Sequence, residues 1–190
     1  PYGDSTARYG AWHSAPGKEL FKRVNETFND AKIIAEDLGF ITPDVKELLE
    51  FTGYPGMKIL QFAFYDEDAE FLPRMYKTSN CVVYTGSHDA DCTYTWIKNI
   101  EGDAKKRFKK ECLDKTTYKG VYAMIYLALS STANLSIIPI QDYLCLTNEE
   151  GRMNTPSTAS GNWTYRLSNR YNTNSLKEKI KTITLETSRN

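Results

Sequence analysis

The residues best suited to acid–base chemistry are carboxyl groups that follow short apolar runs. Glu36 follows residues 33–35, and Asp89, with His88 beside it, follows residues 81–84. A carboxyl group in a partly apolar setting keeps its proton and can act as a general acid, whereas a second, ionised carboxylate can stabilise a developing cation. Glycosyl transfer passes through an oxocarbenium-like transition state and needs this division of roles. Glu36 as acid and Asp89 as stabiliser would fit such a reaction.

A structural role for these carboxylates stays open on spacing alone. An acidic residue after a strand also serves as a helix cap or as one partner of a salt bridge. Two such strand ends and one adjacent histidine leave the two interpretations evenly balanced. The 13 Tyr, 8 Phe and 3 Trp side chains favour a sugar substrate, because aromatic rings pack on the apolar faces of sugar rings.

Short apolar runs alternate with helical patterns along the chain and predict an α/β fold with parallel strands. The carboxyl ends of parallel strands, and the loops after them, are where catalytic groups gather in α/β barrels. The predicted strands are residues 33–35, 57–64, 81–84 and 137–140. The predicted helices lie within residues 20–28, 43–51, 104–113, 118–129 and 176–183.

Composition excludes several classes of protein. The chain has 190 residues, with 24 Lys and Arg against 24 Asp and Glu, which argues against a nucleic-acid partner, since neutralising phosphates requires a basic surplus. The basic run 105–110 is predicted to be the solvated face of a helix. The longest apolar run, residues 121–129, is far shorter than the roughly 20 residues of a transmembrane helix, so no membrane association is expected.

The four cysteines, which form no C-x-x-C pair, are predicted to be free buried thiols of a cytoplasmic protein. With only two histidines in the chain, no metal site is expected.

Several segments together carry a family resemblance. Residues 33–39 read Ile-Ile-Ala-Glu-Asp-Leu-Gly and precede Ile-Thr-Pro, and residues 84–89 read Tyr-Thr-Gly-Ser-His-Asp. Residues 55–64 read Pro-Gly-Met-Lys-Ile-Leu-Gln-Phe-Ala-Phe. Residues 152–156 read Arg-Met-Asn-Thr-Pro and precede Gly-Asn-Trp at residues 161–163. In order along the chain, these segments resemble the 4-α-glucanotransferases of glycoside hydrolase family 77, the amylomaltases or disproportionating enzymes.

The resemblance implies a retaining (β/α)8-barrel enzyme of the α-amylase clan that needs no cofactor or metal. Such an enzyme cleaves an α-1,4-glucan, holds a covalent glucosyl intermediate and passes it to the 4-hydroxyl of another sugar, a maltooligosaccharide included. By motif position, Glu36 is the acid/base and Asp89 the transition-state stabiliser. His88, Phe62 and Asn154 are the corresponding substrate-binding residues. Asp37 is expected to point away from Glu36 and to be structural.

One family motif does not occur in the sequence. The nucleophile of the family is an Asp in an Arg-x-Asp-His strand end, and residues 1–21, with Gly10-x-Trp12, resemble the stretch after that strand. Residues 1–190 are therefore expected to form a partial domain, the C-terminal portion of the barrel with about strands five to eight. The expected partners of this portion are the N-terminal part of the barrel or a second copy of the chain.

Two departures from the family pattern lie near the cleft: Ala90 stands where the family commonly has Asn, and Ser157 where it commonly has Gly. They bear on acceptor preference rather than on the chemistry. Two other functions remain open at this point, a glucan hydrolase of the same clan and a non-catalytic fragment that binds glucan or associates with a partner.

Overall fold

The computed structural model describes residues 3, 6, 8–11 and 13–189, so Trp12 of the Gly-x-Trp motif lies outside the described residues. Its three strands are β1 (Gly56–Ile59), β2 (Cys81–Tyr84) and β3 (Leu135–Ile137). Its helices are α1 (Gly17–Thr27), α2 (Pro43–Thr52), α3 (Thr93–Asn99), α4 (Gly102–Glu111), α5 (Val121–Leu129), α6 (Ile140–Tyr143), α7 (Asn148–Gly151) and α8 (Asn174–Glu186).

The strands form one parallel sheet in the order β1-β2-β3. Gly56 pairs with Cys81 at one end, and Tyr84 pairs with both Ile59 and Ile137 at the other. The parallel α/β class predicted from the alternating pattern is confirmed. Because all three strands run in the same direction, the loops that follow β2 and β3 emerge from the same edge of the sheet.

Three strand predictions need correction. The strand predicted over residues 57–64 ends at Ile59, and a 3-10 turn at Leu60–Phe62 follows it. Residues 33–35 are irregular rather than a strand, since one ladder hydrogen bond, from Ala35 N to Pro55 O (3.0 Å), joins them to the start of β1. The last strand lies at Leu135–Ile137 instead of residues 137–140, because Pro139 caps helix α6, which begins at Ile140.

The longer helices agree with the sequence prediction, whereas α3 and the four-residue helices α6 and α7 were missed. In α4, Ala104 and Phe108 are buried and the lysines of the basic run are exposed, as predicted for a solvated face. Helix α5 is apolar nearly all round and has six buried residues. Helix α3 is only seven residues long and rich in β-branched and aromatic types, so its sequence carries little helical signal.

Buried aromatic rings form the centre of the main core. Phe64, Trp96 and Phe108 contact one another at centroid distances of 5.4–5.8 Å and are at most 7% exposed. These rings join the segment after β1 to helices α3 and α4. Part of the aromatic surplus therefore packs the protein interior and is not available to a sugar.

Apolar side chains remain exposed on the first two helices and on the last strand. Neither α1 nor α2 has a buried residue, and Leu20, Phe28 and Phe51 are 50–61% exposed. In β3, Leu135 and Ile137 are 51% and 42% exposed. Exposed apolar faces of this kind typically mark a contact surface.

The described helices include none with the length and apolar character that crossing a membrane requires. All four cysteines are free thiols, and Cys81, Cys92 and Cys112 among them are buried.

The carboxyl group of Asp142 is almost fully buried and joins three elements. The hydroxyl of Thr85, just after β2, donates to Asp142 Oδ2 (2.5 Å). Thr93, at the start of α3, donates through its backbone N to Oδ1 (3.0 Å) and through its hydroxyl to Oδ2 (2.8 Å). Burial raises the pKa of the Asp142 carboxyl, and the bonds from both threonines oppose that shift.

Replacing Asp142 by Ala is expected to destabilise the chain by about 3 kcal/mol or more, because three buried donors lose their acceptor. Urea denaturation measures this loss. The control is Asp114→Ala, since the one ion pair of Asp114 within the described part of the chain is an exposed pair with Lys109 (3.5 Å). This substitution should change the free energy of unfolding by no more than about 0.5 kcal/mol. Equal losses in the two variants would contradict the structural importance of Asp142.

Candidate active site

A cavity of about 220 Å³ lies at the carboxyl edge of the sheet. Its walls are the loop after β2, including His88 and Asp91, the segment 139–142 after β3, and residues 151–153. These are the loops that parallel strands bring to one edge, and they carry the predicted His-Asp pair. The cavity therefore opens where the sequence analysis expected the chemistry.

The carboxylate of Asp89 is held by two of the predicted substrate-binding residues. Asn154 Nδ2 donates to Asp89 Oδ1 (2.5 Å), and His88 Nε2 lies 3.3 Å from the same oxygen. The side chains of His88 and Asp89 are 44% and 50% exposed, so both face an accessible cleft. A carboxylate held in this way can stabilise positive charge on a bound molecule.

Trp163 adds an aromatic surface that sequence reasoning did not assign to the site. Its ring lies 5.1 Å from the His88 ring at an interplanar angle of 39°, and the residue is 53% exposed. Its backbone has φ 61°, and its N donates to Met153 O (2.7 Å). A tryptophan with positive φ is uncommon and is retained where surrounding contacts hold it. In the sequence, the position of Trp163 in the Gly-Asn-Trp segment was the one indication that it could belong to the site.

Arg152 and Asp91 form a second layer beneath Asp89, and sequence reasoning missed both. Arg152 Nη1 pairs with Asp91 Oδ1, while its Nη2 donates to Asp89 O (3.3 Å) and its Nε to Asn154 O (3.0 Å). Asn148 Nδ2 also donates to Asp91 Oδ1 (2.8 Å). These bonds join the loop that carries Asp89 to the loop that carries Asn154.

Glu36 and Phe62 lie on other segments. Glu36 is exposed in the irregular stretch beside the start of β1, and Phe62 is 43% exposed in the 3-10 turn after β1. Among the described residues, the hydrogen bonds and ion pairs of Asp89 do not reach either of them. Asp37 accepts a hydrogen bond from Met57 N at Oδ1 (2.6 Å), in agreement with the structural role predicted for it.

The Cys92 thiol, which lines the cavity, is a poor nucleophile because it is buried. Burial raises the pKa of the Cys92 thiol to about 11, and the nearby carboxylates of Asp142 and Asp91 act in the same direction. The thiol is therefore protonated at neutral pH and a poor nucleophile. Within the described part of the chain, no three His, Cys, Asp or Glu side chains are grouped so that they could hold a metal ion.

A second cavity, of about 450 Å³, lies near the amino ends of β1 and β2 and is bordered by helix α2. Its lining includes Asp37, Lys58 and Glu70, but none of the residues predicted to act on a substrate. The smaller cavity, which is lined by His88 and by the loop that carries Asp89, is therefore the candidate active site.

Comparisons with known proteins agree on one family. The family model described as 4-alpha-glucanotransferase matches residues 1–173. The 4-alpha-glucanotransferase of Streptococcus pneumoniae serotype 4 is 40% identical over 185 residues, which cover 97% of this chain and 36% of that protein. The enzyme of the same name from Synechocystis sp. is 44% identical over 169 residues, covering 87% of this chain and 33% of that protein.

A solved structure shares the fold. The amylomaltase from Streptococcus agalactiae in complex with acarbose superposes with a TM-score of 0.88 and 33% identity. The superposition covers 98% of this chain and 38% of the amylomaltase. This chain thus spans about a third of the length of the proteins it matches.

Ser157 is one of the departures noted in the sequence, and its backbone has φ 65°. Glycine adopts this conformation without the steric cost that a Cβ adds, about 1 kcal/mol. We expect Ser157→Gly to stabilise the loop and to slow amide hydrogen exchange of Trp163 about fivefold. Ser157→Ala is the matched control, because alanine keeps the Cβ. An equal gain from alanine would contradict backbone strain as the cause.

Proposed function

This chain belongs to the 4-alpha-glucanotransferase family, and from that premise we propose that it supplies part of the active site of an enzyme that transfers α-1,4-glucan segments. The acceptor would be the 4-hydroxyl of a second sugar. The observation that carries the proposal is the contact of Asp89 with both His88 and Asn154 at the carboxyl edge of a parallel sheet. Because the chain belongs to this family, we interpret His88, Asp89 and Asn154 as groups that act in glycosyl transfer rather than as purely structural ones.

In the proposed reaction, Glu36 donates its proton to the glycosidic oxygen as the bond to the sugar C1 breaks. Asp89 stabilises the positive charge that develops on the sugar ring. A carboxylate from the two thirds of the relatives' length that this chain does not span attacks C1 and forms the covalent intermediate. Glu36 then takes the proton from the acceptor 4-hydroxyl, which displaces the enzyme carboxylate, so configuration is retained.

The substrate would lie across His88, Asn154 and Phe62, with Trp163 as a further aromatic surface. The half-exposed rings of Phe62 and Trp163 are suited to the apolar faces of sugars. His88 and Asn154 would contact the hydroxyls at the cleavage point. Acarbose in the related amylomaltase structure supports a glucan-like ligand. Neutral maltooligosaccharides also agree with the zero net charge of the chain.

We further propose that residues 1–190 form the C-terminal portion of a (β/α)8 barrel, with about strands five to eight. The apolar faces of α1 and α2 and the exposed strand β3 support this arrangement, since the rest of a barrel would cover them. The chain alone would instead associate with that missing part or with a second copy. A cytoplasmic location would suit the four free thiols.

The complete enzyme is expected to convert maltotriose into glucose and longer maltooligosaccharides, as chromatography of the products would show. The 190-residue chain alone should form neither, because its sequence contains no Arg-x-Asp-His strand end. Exclusively shorter products from the complete enzyme would indicate a hydrolase. Turnover by the isolated chain would contradict the proposed division of the active site. Glucan binding without turnover in the complete enzyme would favour a non-catalytic function.

Replacing Glu36 by Gln in the complete enzyme is expected to lower kcat about 10³-fold or more, because the amide cannot donate the proton. Glu47→Gln is the matched control, since Glu47 is an exposed residue of α2 whose one ion pair among the described residues is with Lys18. Initial rates on maltotriose measure both variants. Near-normal turnover in the Glu36 variant would remove Glu36 from its role.

A further inference from the structure

Among the described residues, Arg152 is the one whose side chain bonds to both loops of the candidate active site. Its guanidinium pairs with the Asp91 carboxylate, donates to the backbone carbonyl of Asp89 and donates to the backbone carbonyl of Asn154. The Arg152 side chain is 25% exposed, so most of it lies within the protein. No role in glucan transfer follows from its motif position alone.

We propose that Arg152 is a positioning residue that sets the geometry of Asp89 for transition-state stabilisation. This inference rests on the proposed function, in which Asp89 faces the sugar cation. Arg152 fixes the carbonyl of Asp89 on one side and the carbonyl of Asn154 on the other, and Asn154 in turn donates to Asp89 Oδ1 (2.5 Å). The position of the Asp89 carboxylate is thereby fixed by one hydrogen bond to the Asp89 backbone and one to its side chain.

The chemistry of arginine suits this task. The planar guanidinium offers five donors in a rigid fork, so it can bind two carbonyls and one carboxylate in fixed directions at the same time. A lysine keeps the positive charge but has a single flexible ammonium group, which cannot hold the same three acceptors in that geometry. Lysine in place of Arg152 therefore separates the effect of charge from the effect of orientation.

Asp91 supplies the fixed point on which Arg152 depends. Its Oδ1 accepts hydrogen bonds from Arg152 and from Asn148 Nδ2 (2.8 Å), and its backbone carbonyl accepts one from the buried Gln61 Nε2 (2.8 Å). Gln61 follows β1 and Asn148 begins α7, so Asp91 is tied to two separate parts of the fold. The guanidinium therefore pairs with a carboxylate that is itself held by hydrogen bonds to other parts of the fold.

The decisive experiment is a double-mutant cycle in the complete enzyme with Arg152→Lys, Asp89→Asn and both together. A maltooligosaccharyl fluoride serves as donor, because its good leaving group keeps slow variants measurable. Positioning predicts that Arg152→Lys lowers kcat about 10–100-fold with KM changed less than about threefold. In the Asp89→Asn background the same substitution should change kcat by no more than about twofold, because the group it orients is gone.

The matched control is Arg74→Lys. Arg74 also bonds a carboxylate, Glu111 Oε1 (3.2 Å), and a backbone carbonyl, that of Glu67, but it contacts none of the site residues. Its substitution should lower the unfolding temperature and leave kcat unchanged. Asp91→Asn weakens the ion pair between Asp91 and Arg152 from the Asp91 side. This variant should show the same changes in kcat and KM as Arg152→Lys, and it replaces Arg152→Lys if that variant does not fold.

The outcomes separate this inference from the function on which it rests. An equal loss of kcat from Arg152→Lys in both backgrounds, or no loss in either, would overturn the positioning role while Asp89 keeps its place in the reaction. Near-normal turnover in Asp89→Asn would instead overturn the proposed role of Asp89, and the positioning role with it.

Discussion

The candidate active site depends on the buried carboxyl group of Asp142. It accepts hydrogen bonds from Thr85 at the end of β2 and from Thr93 at the start of α3, so it fixes both ends of the loop that carries His88 and Asp89. A buried acceptor with three donors is costly to disturb, because each donor would lose its partner far from water. The loop is thereby held at the sheet edge before any substrate binds.

Hydrogen bonds and one ion pair connect the region around Asp142 with the cleft. Asp91 and Arg152 connect the loop after β2 with the loop after α7, and Asn154 extends the connection to the carboxylate of Asp89. Solvent exposure therefore increases from the buried Asp142, through the Asp91 side chain at 30%, to the Asp89 side chain at 50%. Preorganisation of this kind is what stabilisation of a developing charge requires, since groups already in place need no reorganisation during the reaction.

The sequence predicted well those features that are encoded locally. The helices α4 and α8 follow from the spacing of their apolar residues, and the helix α5 and the strand β2 from apolar runs. The strand at residues 33–35 was predicted wrongly because a strand exists only through its neighbours, and one ladder bond to Pro55 is insufficient. Composition alone could not tell which aromatic residues pack the core and which remain exposed. Phe64 is buried in the core, whereas Phe62 is 43% exposed.

The sequence by itself determined the parallel α/β class and singled out His88, Asp89 and Asn154, because strand ends and motif order are properties of the linear chain. Only the tertiary structure showed that Asn154 donates to Asp89 across 65 positions and that Trp163 lies against His88. It also showed that Arg152, to which the sequence pattern gave no separate role, joins both loops. Such contacts depend on the sheet register, which brings residues distant in sequence to one edge and cannot be read from local pattern.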